Sequence, residues 1–200
     1  MKSEPDALMD QLIEAFAHLP GLGPRSASRI VHHLLVNDRE AALHLGQLLE
    51  QASQKVGRCK LCNCLSEKDC CAICSDATRD STKLCIVEST ADQRVIEETM
   101  AYQGLYFVLM GLISPLHGVG ATELGLDKLL TRLSGGHIQE VLIATPFTPE
   151  GDATAHFIAR AVKARGWPIR VTRLARGVPA GVELEYTDAN TIANAIFARR

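Results

Sequence analysis

The chain has 200 residues, enough for one domain or two small ones, with 46% apolar and 22% charged side chains, an ordinary balance for a globular protein. Aromatics make up only 4%, which leaves the core to Leu, Ile, Val and Ala, and a net charge of −2 gives no overall attraction to nucleic acid. No apolar run approaches the roughly 18–20 residues of a membrane span, and acids inside the first apolar stretch, MKSEPDALMDQLIEAF, argue against a secretory signal and for a cytoplasmic protein with no membrane partner.

Leu8, Leu12, Ala15, Phe16 and Leu19 recur at three- and four-residue spacing, which predicts an amphipathic helix over residues 6–18. Pro20-Gly21-Leu22-Gly23-Pro24 ends it, and a second helix is expected over 25–36. Asp38 is placed to cap a third, running to about residue 55, with Ala42, Leu45, Leu48, Leu49 and Ala52 as its apolar face. The turn between the first two helices is the informative part. Gly21 and Gly23 let the backbone turn tightly and leave no side chain over it, so a phosphate can reach the amides of the following helix. Arg25 and Arg29, four apart, share one face of that helix and can add charge-assisted contacts. Such contacts hold DNA without reading its sequence. The pattern resembles a helix-hairpin-helix; the alternative is an ordinary tight turn with both arginines on a solvated face.

Six of the seven cysteines fall between Cys59 and Cys74, which in a reducing compartment points to metal rather than disulfides. Cys59-x-x-Cys62 and Cys71-x-x-Cys74, eight residues apart, can each present two sulfurs from one turn and together complete a tetrahedral zinc site. Cys64 and Cys70 offer the alternative pairs Cys62/Cys64 and Cys70/Cys71, but only the preferred set gives two equivalent turns. Four thiolates leave no open position, so such a zinc is structural, and in a module with few apolar residues it supplies much of the folding energy. Cys85 reads as a small buried apolar residue.

Beyond the cysteines the rhythm changes to short apolar strands over 84–87, 106–110, 141–144 and 169–174. These alternate with helices over 91–103, 123–133 (with Thr122 as cap) and 152–165, which predicts a mostly parallel sheet covered on both faces. A short Ala-rich helix over 188–200 ends the chain. Glu88 follows the first strand, and Glu150 and Asp152 follow the third. If those strands are neighbours, the three carboxylates gather at one edge, with no obvious basic neighbour in sequence, and could hold Mg²⁺. The other reading is solvated loop acids. Residues 153–182 carry six basic side chains and no acid. These either form a positive patch or pair with acids elsewhere.

The acidic edge resembles that of the Toprim domain, in which a Glu follows one strand and an Asp-x-Asp a later one; here Glu150 stands in place of the first Asp, which weakens the case for metal. In order, helix-hairpin-helix, four-cysteine finger and Toprim domain resemble the RecR family of bacterial recombination mediators over essentially the whole chain. The strings that carry this are Leu19-Pro-Gly-Leu-Gly-Pro-Arg-Ser-Ala27, the cysteine run, Val87-Glu-Ser89, Phe107-Val-Leu-Met-Gly111, Ser114-Pro-Leu-His-Gly118, Glu150-Gly-Asp-Ala-Thr-Ala155 and Arg176-Gly-Val-Pro-Ala-Gly181. Pro146-Phe147, where relatives usually read Asn-Pro, is a local departure.

The resemblance implies an α/β multi-module protein. Residues 1–57 would form a helical helix-hairpin-helix domain, 58–75 a four-cysteine zinc finger, 82–177 a Toprim domain, and 178–200 a C-terminal segment for oligomerisation. It further implies a non-enzymatic scaffold in recombinational repair, acting with RecF and RecO to load recombinase on single-stranded DNA. The protein would be a dimer or ring-like tetramer, nucleoid-associated when on DNA, with DNA held by residues matching Arg25 and Arg29, and with the Toprim acids serving partner contact more than catalysis. No Gly-x-x-x-x-Gly-Lys-Ser/Thr loop is present to suggest ATP hydrolysis. A Mg²⁺-dependent nuclease is the enzymatic rival, and a zinc-dependent interaction module without DNA contact is the third reading.

Overall fold

The computed structural model describes residues 7–122 and 124–197, which fall into two compact units, Met1–Val56 and Gly57–Arg200. Residues 1–6, Glu123 and residues 198–200 lie outside the described residues, so the outer ends of the expected first and last helices, and the first residue of the helix expected over 123–133, lie outside them too. Among the described residues no helix is long and apolar enough to cross a membrane.

The first unit holds α1 (Ala7–Ala17), α2 (Pro24–His32) and α3 (Arg39–Lys55). The helix expected over 25–36 does not stay regular: His33–Asn37 form a π-helical turn, closed by the Asp38 amide on the His33 carbonyl at 3.2 Å. Asp38 ends that turn because its carboxylate accepts from the Ala41 amide at 2.9 Å and so caps α3, as its position predicts. Among the described residues of this unit, only Ala27 and Val31 are fully buried. The apolar stripe of α3 is present but uncovered, with Leu48 at 49% and Leu49 at 62% exposure.

The second unit opens with a small cysteine module: the antiparallel pair β1 (Gly57–Arg58) and β2 (Leu65–Ser66), then the single turn α4 (Ala72–Ser75). An alternating series follows, β3 (Asp80–Val87), α5 (Thr90–Glu98), β4 (Gly104–Val108), α6 (Leu126–Ser134), β5 (Glu140–Ala144), α7 (Pro149–Ala164) and β6 (Arg170–Arg173). The four long strands pair in parallel in the order β4-β3-β5-β6, the mostly parallel sheet that the alternation predicts. A helical turn at Leu184–Tyr186 and α8 (Ala189–Phe197) close the chain, α8 being capped by the Asp188 carboxylate on the Thr191 amide at 2.9 Å.

Strand alternation divides the core. Leu84, Ile86, Phe107, Val141 and Ile143 face one side, against Leu126, Leu129 and Leu133 of α6 and Ala155, Ile158 and Val162 of α7. Cys85, Val87, Tyr106, Val108 and Ala144 face the other, where Cys59, Cys62 and Cys64 pack beside Ile96 of α5. The cysteine module therefore takes a share of the cover that helices give in an ordinary layered sheet.

Several boundaries shift for identifiable reasons. The helix expected over 91–103 stops at Glu98, because Met100 takes a left-handed backbone (φ 53°). Thr122 does not cap α6 with its side chain; its carbonyl accepts from Gly125, whose left-handed conformation starts the helix at Leu126. The helix α7 begins earlier than expected, at Pro149, because the Thr148 hydroxyl accepts from the Gly151 amide at 3.1 Å.

Candidate functional site

Three places carry chemistry, one in the first unit and two in the second. In the hairpin, Gly21 has φ 81°, the left-handed region that favours glycine, and the turn closes through the Leu22 amide on the Leu19 carbonyl at 3.1 Å. Gly23 is the N-cap residue of α2, with Pro24 at the first helical position and no side-chain cap. Nothing lies within 4 Å of where a Cβ would sit on Gly21 or Gly23, so the approach to the helix end is open. Arg25 and Arg29 are both exposed, and neither forms an ion pair among the described residues. Arg29 also lines an open groove of about 720 Å³ with Ser26 and His32 of α2 and His33 and Asn37 of the π-helical turn, polar residues that periodicity alone did not single out. An uncapped helix end beside two unpaired guanidinium groups is suited to a phosphate backbone.

In the cysteine module, Asn63 takes a left-handed backbone (φ 64°) and folds the first Cys-x-x-Cys into a knuckle, with the Cys59 amide on the Cys64 carbonyl at 2.8 Å. The Sγ atoms of Cys59, Cys62, Cys64 and Cys71 all lie within 4.8 Å of one another. The Cys71 amide donates to the Cys59 sulfur at 3.3 Å, and the Cys62 sulfur lies 3.3 Å from that of Cys64 and 3.5 Å from that of Cys71. Cys70 is not in this group. The structure thus brings together three of the four preferred cysteines, Cys59, Cys62 and Cys71, with Cys64; the preferred Cys74 is not in this mutually close group.

Their electrostatics fit a cation. Hydrogen bonds, first from Cys74, hold the Cys62 thiol down at about 5 against the opposing effect of burial. Burial pushes Cys64 and Cys71 up, and Cys74 rises because it donates to Cys62. Clustered thiolates repel one another, and a bound cation offsets that repulsion. Cys85 is fully buried and its thiol is pushed up to about 12 by burial, an inert core residue.

The module also closes the outer edge of the sheet, which sequence reasoning missed. The Val108 amide donates to the Cys62 carbonyl at 2.8 Å, and the Asn63 side-chain amide donates to the Val108 carbonyl at 2.8 Å. Arg132 of α6 bridges the Leu61 carbonyl at 2.7 Å and the Tyr106 carbonyl at 2.8 Å. Beneath it, Arg79 forks onto Glu97 at 2.6 and 2.9 Å, and Glu97 also accepts from the Tyr106 hydroxyl at 2.7 Å.

At the acidic edge β3 and β5 are neighbours, so Glu88 and the segment leading to Glu150 and Asp152 do leave the sheet side by side. The absence of a basic partner, expected from sequence, does not hold in space. Asp152 accepts from Arg173 of β6 at 2.6 Å and from Arg176 at 2.9 and 3.0 Å. Arg173 in particular holds its carboxyl below the usual aspartate range. Burial, with Asp92 nearby, raises Glu88 instead. Among the described residues the three acids do not form a group with ligand atoms as close as those of the cysteines. Arg170 pairs with Glu140 at 2.7 Å, so half of the basic stretch is spent on internal acids, while Arg160 and Lys163 form no ion pair among the described residues.

Comparison with known families agrees with this layout. The family model described as RecR, helix-hairpin-helix matches residues 9–53, that of the Toprim domain matches residues 82–175, and that of RecR, C-terminal matches residues 177–200. The three occur in chain order, with the cysteine module between the first two.

Proposed function

Because the chain belongs to the RecR family, with its recombination-repair role, we propose that it is a non-enzymatic DNA-binding mediator that works with RecF and RecO to help load recombinase onto single-stranded DNA. The observation that carries this reading is the hairpin: an open, uncapped helix start with Arg25 and Arg29 exposed and unpaired. Gly21 and Gly23 would admit the phosphate and the two arginines would hold it. One hairpin neutralises few phosphates, so its affinity is weak and salt-sensitive. Several hairpins in one assembly bind together through effective concentration.

Assembly as a dimer or ring-like tetramer is supported by apolar surface that one chain leaves uncovered. It runs along α3 and, separately, over Leu184, Tyr186, Ile196 and Phe197 of the C-terminal segment. The metal is read as a structural zinc held by Cys59, Cys62, Cys71 and Cys74, with Cys64 as a hydrogen-bonding neighbour. Glu88 and Glu150 are read as partner contacts rather than catalytic groups. On DNA the protein would sit with the nucleoid in the cytoplasm.

The test is reconstituted recombinase loading on single-stranded DNA coated with binding protein, in the presence of RecF and RecO. The reading expects faster loading with the wild type, no acceleration with Arg25→Ala/Arg29→Ala, and intact DNA in Mg²⁺ or Mn²⁺. Cleavage abolished by Glu88→Gln would establish the nuclease reading instead. Acceleration that persists in the arginine variant would favour a module acting without DNA contact through the hairpin.

A further inference from the structure

The Toprim resemblance implies a divalent cation at the acidic edge, and the residues present do not fit one. Both oxygens of Asp152 are already engaged: Oδ1 accepts from Arg173 at 2.6 Å and from Arg176 at 3.0 Å, and Oδ2 accepts from Arg176 at 2.9 Å. Phe147 fixes the two cations in place. Its ring lies 4.6 Å from the Arg173 guanidinium carbon and 4.3 Å from that of Arg176, both within cation–π range. Arg173 Nε and Nη2 are buried with no hydrogen-bond acceptor among the described residues, so the aromatic face is the electron-rich surface available to that guanidinium.

The backbone is built to bring Phe147 there. A Cβ on Gly151 would run into the Pro146 carbonyl, so only glycine in the first turn of α7 lets the Pro146-Phe147 loop fold down onto the helix. The Thr145 hydroxyl, donating to the Gly151 carbonyl at 3.0 Å, holds the loop in that fold. Phe147 is therefore built into this edge by the fold of its loop.

We propose that Arg173 and Arg176, stacked on Phe147, act as a built-in cation that takes up Asp152 and keeps Mg²⁺ out of the Toprim edge. Mg²⁺ demands close, near-octahedral oxygen ligands. It could reach Asp152 only by displacing two guanidinium groups, and would then sit beside their charges. Phe147, Arg173 and Arg176 are thus specificity-determining: they make the edge independent of metal. This stands apart from the DNA reading, because its readout is ion binding alone.

The experiment is titration of the zinc-loaded full chain with Mn²⁺, followed by loss of the free-ion EPR signal, with folding checked by circular dichroism. Wild type and Asp152→Asn are expected to bind Mn²⁺ alike. Arg173→Ala/Arg176→Ala is expected to gain one site, lost again when Asp152→Asn is added, and Arg176→Gln alone to gain a weaker one. A wild-type Mn²⁺ site abolished by Asp152→Asn overturns the proposal even if the double variant fails to fold. Folded arginine variants that gain no site overturn it as well.

Discussion

At the scale of single residues, the cysteine cluster poses a sharp choice. The mutually close sulfurs are those of Cys59, Cys62, Cys64 and Cys71, whereas the pairing of two equivalent turns favours Cys74 over Cys64 as the fourth ligand. Cys64→Ala should then keep one zinc per chain, measured by metal content after dialysis against a weak chelator, whereas Cys74→Ala should lose it. The reverse pattern would assign the site to the mutually close set of Cys59, Cys62, Cys64 and Cys71. Glu97 offers a second test. Burial works to raise its carboxyl, but hydrogen bonds from Arg79 and Tyr106 outweigh this and hold it below its ordinary 4.5. A depressed carboxylate contributes stability that is present above 4.5 and lost as pH falls through the lower folded value. Glu97→Gln should therefore be less stable at neutral pH and should flatten the fall in stability below about pH 4.5. An acid limb as steep as that of wild type would show that Glu97 does not carry it. Arg79 has only 9% of its side chain exposed, so Glu97→Ala, which strands that charge, should cost roughly 3 kcal/mol in denaturant unfolding.

At the scale of elements, the outer edge of β4 matters most. An open strand edge is a template for unwanted pairing, and here the Cys62-Asn63 knuckle and Arg132 occupy it. Asn63→Ala leaves the buried Val108 carbonyl without its side-chain donor and should cost about 1–3 kcal/mol. Chelating the metal should do more, freeing the whole edge, so hydrogen exchange at Val108 should accelerate on metal removal while α7 stays protected. Unchanged exchange at Val108 would separate the module from the sheet. The same elements show how far sequence patterns reach. Helix and strand alternation, the Asp38 cap and the two Cys-x-x-Cys turns are local signals, readable from spacing. The docking of the knuckle on β4, the Arg79–Glu97–Tyr106 network and the Arg173–Phe147–Arg176 sandwich join residues 9 to 46 positions apart, and no local periodicity encodes such contacts. Two clues were nonetheless present in the sequence: the unusual Pro146-Phe147 and an acid-free run rich in arginine.

At the scale of the whole molecule, the two units differ in self-sufficiency. The Gly57–Arg200 unit buries both faces of its sheet. Among its described residues the Met1–Val56 unit buries only Ala27 and Val31 completely, few for a helical unit of its size, and leaves the leucines of α3 in water. A second copy covering those leucines would stabilise the unit and bring hairpins together, which is how weak single contacts become useful affinity. The measurement that tests this most directly is DNA binding across a salt series by the zinc-loaded wild type and Arg25→Ala/Arg29→Ala, with oligomer size recorded by sedimentation in the same buffers. The expected result is an oligomeric wild type whose affinity falls steeply with salt, and a folded variant of the same size whose affinity is at least about tenfold lower and whose salt slope is shallower. Equal affinity and equal slope in the two proteins would contradict it, leaving the hairpin a structural turn and placing the DNA site elsewhere, with Arg160 and Lys163 the first residues to examine.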